Sequence, residues 1–512
     1  MKLNTNHNIS ELFFAAARKY PHRLAIIHKN HDITFCQLAE AVECTANYFH
    51  SKGIKKGDRV LVFVPMSIDL YRIVLALFSM GATAVFLDEW VNKKRMEECC
   101  KVVNCDAFIG IFKARVLAWF SYELRKIPIK LGVKGRLSGD WDKNRYPLEV
   151  ERNYTALITF TTGSTGIPKA AKRTHHFLSK QFEALNDKLS PEEDDVDLTA
   201  LPIVLFMNLG NGVTSVIPEF KASRPDKMDP SKITRQIQKH QVTRIIASPF
   251  IVKRISLYLS KNNLKLQNIR KIFTGGAPVF PHEAELYKRG FPDMDIEIVY
   301  GSTEAEPISS IKVNDLVADK DFLFKTGLNV GSVYQKAEVK IINITDEAIT
   351  VKDEIELQEL PHGSIGEIIV RGDHVLTEYI KNPQAIKKNK IFINEKCWHR
   401  TGDSGYLNES GVLYLTGRCN MIIEKDGRLI SPFLYENYFQ SLPGVNIGTI
   451  LMIEGKIVFA LELWDHERKK VVLLALESLP VKAAKVAFLK KIPRDLRHHS
   501  KIDYSRLLQM LD

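Results

Sequence analysis

The apolar positions of the first 90 residues switch repeatedly between two periods. Leu12, Phe13 and Ala16 recur at helical spacing behind Ser10, a residue type that caps helices, and the run stops before Pro21. Leu24 to Ile27 follows as a short continuous apolar run, the signature of a strand. The pairing then repeats: a helix from about Gln37 that ends at Gly53, a strand Arg59 to Val64, an amphipathic helix Asp69 to Met80, and a strand Ala84 to Leu87. Alternation of this kind predicts parallel sheets covered by helices. From about Gly331 to Leu415 the pattern becomes short alternating strands, including Val339 to Ile342, Gly366 to Arg371 and Val412 to Leu415. That predicts a small barrel-like β subdomain. A last α/β stretch after Arg418 contains the strands Ile447 to Met452 and Val458 to Leu463.

At 512 residues the chain exceeds the size at which one hydrophobic core keeps growing. The fold class read from the pattern is α/β, with at least two domains. Residues 1–419 make a large N-terminal domain of two α/β sheet subdomains plus a β subdomain at about 331–415. Residues 420–512 make a small α/β C-terminal domain.

Composition narrows this picture only a little. With 45% hydrophobic and 26% charged residues the chain is an ordinary globular sequence, and no uncharged apolar run reaches the roughly 18 residues of a membrane span. The N-terminus, Met1 to His7, lacks the apolar core and cleavage site of a secretory signal, which predicts a cytoplasmic protein. Seven cysteines form neither an even disulfide framework nor a zinc-ligand spacing, so they are expected as reduced, mostly packed thiols. A formal charge of +12 is spread along the chain with no nucleic-acid motif around its densest run. Anionic small-molecule substrates account for part of it, and association with a membrane surface or a pathway enzyme stays open, as does the oligomeric state.

The chemistry concentrates in Thr159 to Lys169, a hydroxyl- and glycine-rich loop directly after the apolar Ala156-Leu157-Ile158. Gly163 and Gly166 can adopt backbone angles that turn consecutive N–H groups toward an anion. Thr161, Thr162, Ser164 and Thr165 add hydroxyl donors, and Lys169 adds charge. The loop reads as a phosphate cradle, though not a Walker A loop, since Ile167-Pro168 follows Gly166 where that motif has Lys-Ser/Thr. Downstream come Gly275-Gly276-Ala277-Pro278, then Tyr300-Gly301-Ser302-Thr303-Glu304, Thr401-Gly402-Asp403, Gly417-Arg418 and finally Lys501.

This ordered set resembles the adenylate-forming superfamily of acyl-CoA synthetases, luciferases and peptide-synthetase adenylation domains, from about Ser10 to Leu508. The resemblance implies a large domain followed by a small mobile one, hinged near Asn420. It implies ATP and Mg²⁺ as cofactors and a carboxylic acid as substrate. Thr161, Thr162, Gly163, Ser164, Thr165, Gly166 and Lys169 would hold the β- and γ-phosphates, Thr303 the α-phosphate, and Glu304 the metal. Tyr300 with Gly301, and Gly276, Ala277 and Pro278 opposite, would make the adenine slot; Asp403 and Arg418 would hold the ribose. Lys501 resembles the mobile lysine that meets the carboxylate and α-phosphate, although Ser500 replaces a glycine and the interval from Pro493 is stretched.

An acyl adenylate passes to whichever nucleophile is admitted. Asn420 and Glu424 depart from the residues usual at the hinge and in the thiol-facing loop, and Leu201 to Gly210 lacks an aromatic-histidine element common in CoA ligases. CoA is thus not the favoured acceptor. The stretches Ala247-Ser248-Pro249, Trp398-His399-Arg400 and Pro493 to His498 are similar to those of olefin-pathway β-lactone synthetases, which are often grouped with long-chain fatty acid–CoA ligases. That resemblance implies a 2-alkyl-3-hydroxyalkanoic acid as substrate, whose own hydroxyl closes the ring. Apolar Phe206, Met207 and Leu209 agree with a lipid-like acid. The alternatives are a long-chain acyl-CoA or acyl-carrier-protein ligase, and a nucleotide-binding protein that has lost catalysis.

Overall fold

The computed structural model describes residues 7–87, 93–133, 145–162, 168–221, 224–319, 326–494 and 501–511. Two large sheets organise residues 24–418. The first has fourteen strands, of which Leu24–His28, Thr214–Val216, Val196–Thr199, Arg244–Ala247, Lys271–Gly275 and Asp295–Ser302 lie parallel side by side. The second has six: Ile129–Gly132, Ala107–Gly110, Arg59–Phe63, Thr83–Phe86 and Thr155–Thr162 are parallel, and Pro168–Thr174 turns back antiparallel. Helices cover both, as the β–α alternation predicts.

The short strands of the middle segment, Leu328–Val333, Glu338–Ile342, Gly366–Arg371, Lys396–Leu407 and Val412–Arg418, are all antiparallel. They are hydrogen bonded onto the edge of the first sheet through Ala305–Lys312. After Arg418 a separate three-stranded sheet forms from Val445–Ile453, Lys456–Leu463 and Lys485–Leu489. It has its own apolar cluster around Phe439, Phe459, Leu461 and Val472.

Local signals account for most helix boundaries, with two corrections. Ser10 does not cap the first helix, Ser10–Lys19, but is its first residue. Its N–H and hydroxyl both donate to Asn8 Oδ1, and Asn8 is fixed there because its Nδ2 donates to the carbonyls of Phe78 and Leu148. Helix Ile68–Ser79, capped by Ser67, is not amphipathic: every residue from Leu70 to Ser79 is buried. Arg72 is tolerated inside because it donates to Asp69, Thr45 and the carbonyl of Val133. The helix expected from Gln37 begins at Phe35, where Thr34 and Gln37 form a reciprocal capping box. All seven cysteines are free thiols. Among the described residues no helix is long and apolar enough to cross a membrane.

Candidate active site

The carboxyl ends of parallel strands are where an open α/β sheet leaves a crevice for ligands. Gly275 and Val299 pair in register on adjacent parallel strands, which sets Gly276, Ala277 and Pro278 beside Tyr300 and Gly301 at that end. Close approach explains the glycines. A Cβ at Gly275 would lie 2.4 Å from the Val299 carbonyl oxygen, and Gly276 has φ +83°.

Asp403 reaches this crevice from the antiparallel half of the sheet. It lies directly opposite Arg418 in register, and Arg418 Nη1 donates to its Oδ1 at 2.7 Å. Tyr300 Oη donates to the other oxygen at 2.8 Å. Burial and the neighbouring Asp403 carboxylate push the Tyr300 phenol well above its ordinary value, so it stays a donor. The turn beneath is held by a buried pair, Arg400 to Glu367 at 2.5 Å, with Glu367 also accepting from the Gly402 N–H at 3.3 Å. Each Asp403 oxygen keeps a lone pair for a further donor, which suits the two hydroxyls of a ribose.

A second group forms where the two sheets meet. The segment Val375 to Ile380 runs between them: Ala305 bridges Val375 and the Glu304 carbonyl accepts from Leu376 N–H on one side, while Ala171 bridges Tyr379 on the other. Tyr379, fully buried, is thereby fixed between strand Pro168–Thr174 and Glu304, and its hydroxyl donates to Glu304 Oε1 at 3.1 Å. Lys169 Nζ stands 5.6 Å from the centre of the same ring and donates to Asn389 Oδ1 at 3.1 Å. Lys390 Nζ stands 5.5 Å from that ring and donates to the Leu376 carbonyl. Burial lowers both ammonium groups from their ordinary value, and the Glu304 charge partly offsets this. The Thr303 carbonyl accepts from Arg173 Nη2 at 3.0 Å, so the backbone before Glu304 is also pinned.

The structure thus brings Tyr300 together with Asp403 and Arg418, and Glu304 together with Lys169; Gly301 and Thr303 lie on the chain between Tyr300 and Glu304. Gly163, Ser164, Thr165 and Gly166 lie outside the described residues; Thr161 and Thr162 end strand Thr155–Thr162, opposite Lys169 and Pro168. Lys501 lies exposed in the C-terminal unit, just before Ile502 bridges Arg494. Residues 495–500, with His498 and Ser500, are outside the described residues. Asn420 sits in the 3₁₀ turn Cys419–Met421, and Glu424 in a two-stranded hairpin turning at Asp426-Gly427. Tyr379 and Lys390 had no sequence signal. Lys390 follows Lys387 and Lys388 in what reads as a solvated basic run, yet it alone of the three is buried.

The donor set fits a magnesium–nucleotide triphosphate. Two ammonium groups and a hydroxyl surround one carboxylate, and among the described residues no three His, Cys, Asp or Glu cluster into a protein-only cage. Magnesium commonly takes one or two carboxylates and fills its shell with phosphate oxygens and water. A separate apolar cavity is lined by Leu12, Phe78, Leu178, Phe206 and Met207 among others. Gln181 is the polar residue in its wall; it accepts from Arg173, the residue that pins Thr303. Leu209 does not line the cavity but is fully buried in the core.

A model of the family described as AMP-binding enzyme matches residues 13–380. The chain belongs to that family. Like its relatives, this AMP-binding enzyme activates a carboxylic acid at the expense of ATP by way of an adenylate. It is 28% identical over 435 residues to an olefin beta-lactone synthetase of Stenotrophomonas maltophilia, covering 81% of this chain and 78% of that protein. It is also 28% identical to a 2-succinylbenzoate–CoA ligase of Listeria innocua, covering 81% and 79%. The structure of O-succinylbenzoate coenzyme A synthetase from Bacillus subtilis in complex with ATP and magnesium ion superposes with a TM-score of 0.79 at 22% identity, over 97% of this chain and 98% of that one. That likeness shows the shared fold.

One pH effect follows from Lys390. Burial lowers its ammonium from 10.5 to about 8. Below about 8 the group is charged whether folded or unfolded, and the penalty for burying the charge acts in full. Between about 8 and 10.5 the unfolded chain holds the proton while the folded enzyme sheds it, so stability rises with pH. The stability of Lys390→Met relative to the wild type is expected to fall by about 3 kcal/mol between about pH 7 and about pH 10.5, as the buried lysine of the wild type sheds its proton. Denaturant midpoints across that range check it; parallel curves would mean an unperturbed lysine.

Proposed function

We propose that this AMP-binding enzyme is a β-lactone synthetase acting on 2-alkyl-3-hydroxyalkanoic acids with long alkyl chains. The observation that carries this reading is the apolar cavity joined through Gln181 and Arg173 to Thr303, the residue before Glu304. Similarity to an olefin beta-lactone synthetase and the departures at Asn420 and Glu424 support the choice of acceptor.

In the first step the acid's carboxylate attacks the α-phosphorus of ATP and pyrophosphate leaves. The enzyme's part is alignment and neutralisation of charge. Asp403, Arg418 and Tyr300 fix the nucleoside end; Thr303 orients the α-phosphate; Lys169, with the loop from Thr161 to Gly166, holds the outgoing phosphates; Glu304 would hold Mg²⁺, which would supply charge screening there. Lys501 would be brought in by residues 420–512 moving as a separate domain about Asn420. In the second step the 3-hydroxyl oxygen bonds to the activated carbonyl carbon, the bond from that carbon to the phosphate oxygen breaks, and AMP departs as the hydroxyl proton is released. Ring closure is intramolecular, so it needs orientation and exclusion of water rather than a second substrate.

The test is mass spectrometry of products from ATP, Mg²⁺ and a long-chain 2-alkyl-3-hydroxy acid, with and without CoA. A product lighter than the acid by one water, with AMP formed and no need for CoA, is expected. A thioester that appears only with CoA would replace the reading with an acyl-CoA ligase.

A further inference from the structure

Helix Phe112–Phe120 is anchored by its small residues. Ala114 and Ala118 are buried, while Phe112, Trp119 and Phe120 are 76%, 69% and 69% exposed. At about 100° per residue, Phe112, Trp119 and Phe120 fall on one arc of the helix, opposite the two alanines. Arg115 borders that arc on one side and Lys113 on the other, and both are exposed. Tyr122, 62% exposed, extends the patch at the start of the next helix, Tyr122–Lys126, where Lys126 Nζ lies 4.0 Å from its ring centre.

Exposed aromatics of this size, contiguous and on one face, mark a surface for a partner. Charge identifies which. Residues 93–130 hold nine basic side chains against four acidic, so this short stretch carries five of the chain's twelve net positive charges. Two of the acids are spent locally: Glu97 accepts from Ser121 and from the Tyr122 N–H, and Glu123 accepts from Lys126. Aromatic rings flanked by cations are the arrangement that settles at the headgroup level of an anionic bilayer, rings toward the acyl chains and ammonium or guanidinium groups toward phosphate.

We propose that Phe112, Trp119, Phe120 and Tyr122, with Lys113, Arg115 and Lys126, form a docking surface for an anionic lipid membrane. The surface does not depend on which product the enzyme makes, since none of its residues is among those that meet Glu304 or Asp403. On the reading that the substrates are long-chain acids, its use is to bring the enzyme to the phase in which such acids dissolve.

The experiment is co-sedimentation of the full-length enzyme with vesicles of phosphatidylglycerol and phosphatidylcholine in equal parts, and with phosphatidylcholine alone, without ATP or acid. Binding to the anionic vesicles is expected, weak on the neutral ones and reduced by about 0.5 M salt. Phe112→Ser with Trp119→Ser is expected to lower partitioning at least tenfold, and each of Lys113→Gln and Arg115→Gln about fivefold. Pyrophosphate release with a short, water-soluble acid is read in parallel and is expected to be unchanged in all these variants, which separates a failure of docking from a failure of catalysis. No binding to anionic vesicles, or equal binding by the Phe112/Trp119 variant, would overturn the proposal; binding of the wild type to neutral and anionic vesicles alike would overturn its electrostatic half.

Discussion

Glu304→Ala is expected to lower ATP-dependent pyrophosphate release by about a thousandfold or more, which makes it the most damaging single change in the crevice. Glu304 is buried, and Lys169, Lys390 and the Tyr379 hydroxyl surround it. Truncation removes the carboxylate proposed to hold the metal and also leaves two ammonium groups facing each other in a poorly solvated space. Glu304→Gln separates these effects. The amide oxygen can still accept from Tyr379, so packing survives, but the charge is gone. If the charge holds Mg²⁺, the glutamine variant falls with the alanine variant, and its Mg²⁺ requirement shifts to higher concentration. ATP analogue binding in the absence of metal should change only a few-fold, because the Tyr300–Asp403 end is untouched. A glutamine variant with full turnover would reduce Glu304 to a packing role.

Asp403→Ala is expected to raise the KM for ATP by about a hundredfold or more, with a smaller effect on the rate at saturation. Two charge-assisted hydrogen bonds to a ribose are worth roughly 1.5 to 3 kcal/mol each. The cost in stability should be slight. The Arg418 side chain is 57% exposed, so its pairing with Asp403 contributes about 1 kcal/mol or less. Tyr300 loses its acceptor, and because that residue is only half-buried a water can take its place. Initial rates across ATP concentrations, with a thermal melt alongside, read both quantities. An unchanged KM would remove Asp403 from nucleotide recognition; a collapsed melting temperature would make it a structural residue of the Thr401-Gly402-Asp403 turn.

Much of this was legible in the chain. Residues Gly366 to Arg371 form the strand expected of them, although Gly366 to Val370 are all buried rather than every second residue, and most other strands differ from expectation by one to three residues at an end. Periodicity records which face of an element is buried, and that is a local property. Boundaries slipped where a distant partner decided them. Asn8 displaced Ser10 as the group meeting the first helix because Phe78 and Leu148, far along the chain, hold its amide in place.

The sequence by itself determined the family, the order of its motifs and the α/β alternation, because glycine turns and apolar periods are fixed by neighbours a few residues apart. Only the tertiary structure decided what surrounds Glu304. Tyr379 and Lys390 are 75 and 86 residues beyond it, and they reach it because Val375 to Ile380 is hydrogen bonded between the two sheets. Arg244 shows the same rule in the core: a cation that a pattern assigns to the surface is buried because pairing of parallel strands sets it opposite Asp197. A side chain's charge is written in the sequence, but its solvation depends on which strands are paired, and that pairing is a property of the closed chain.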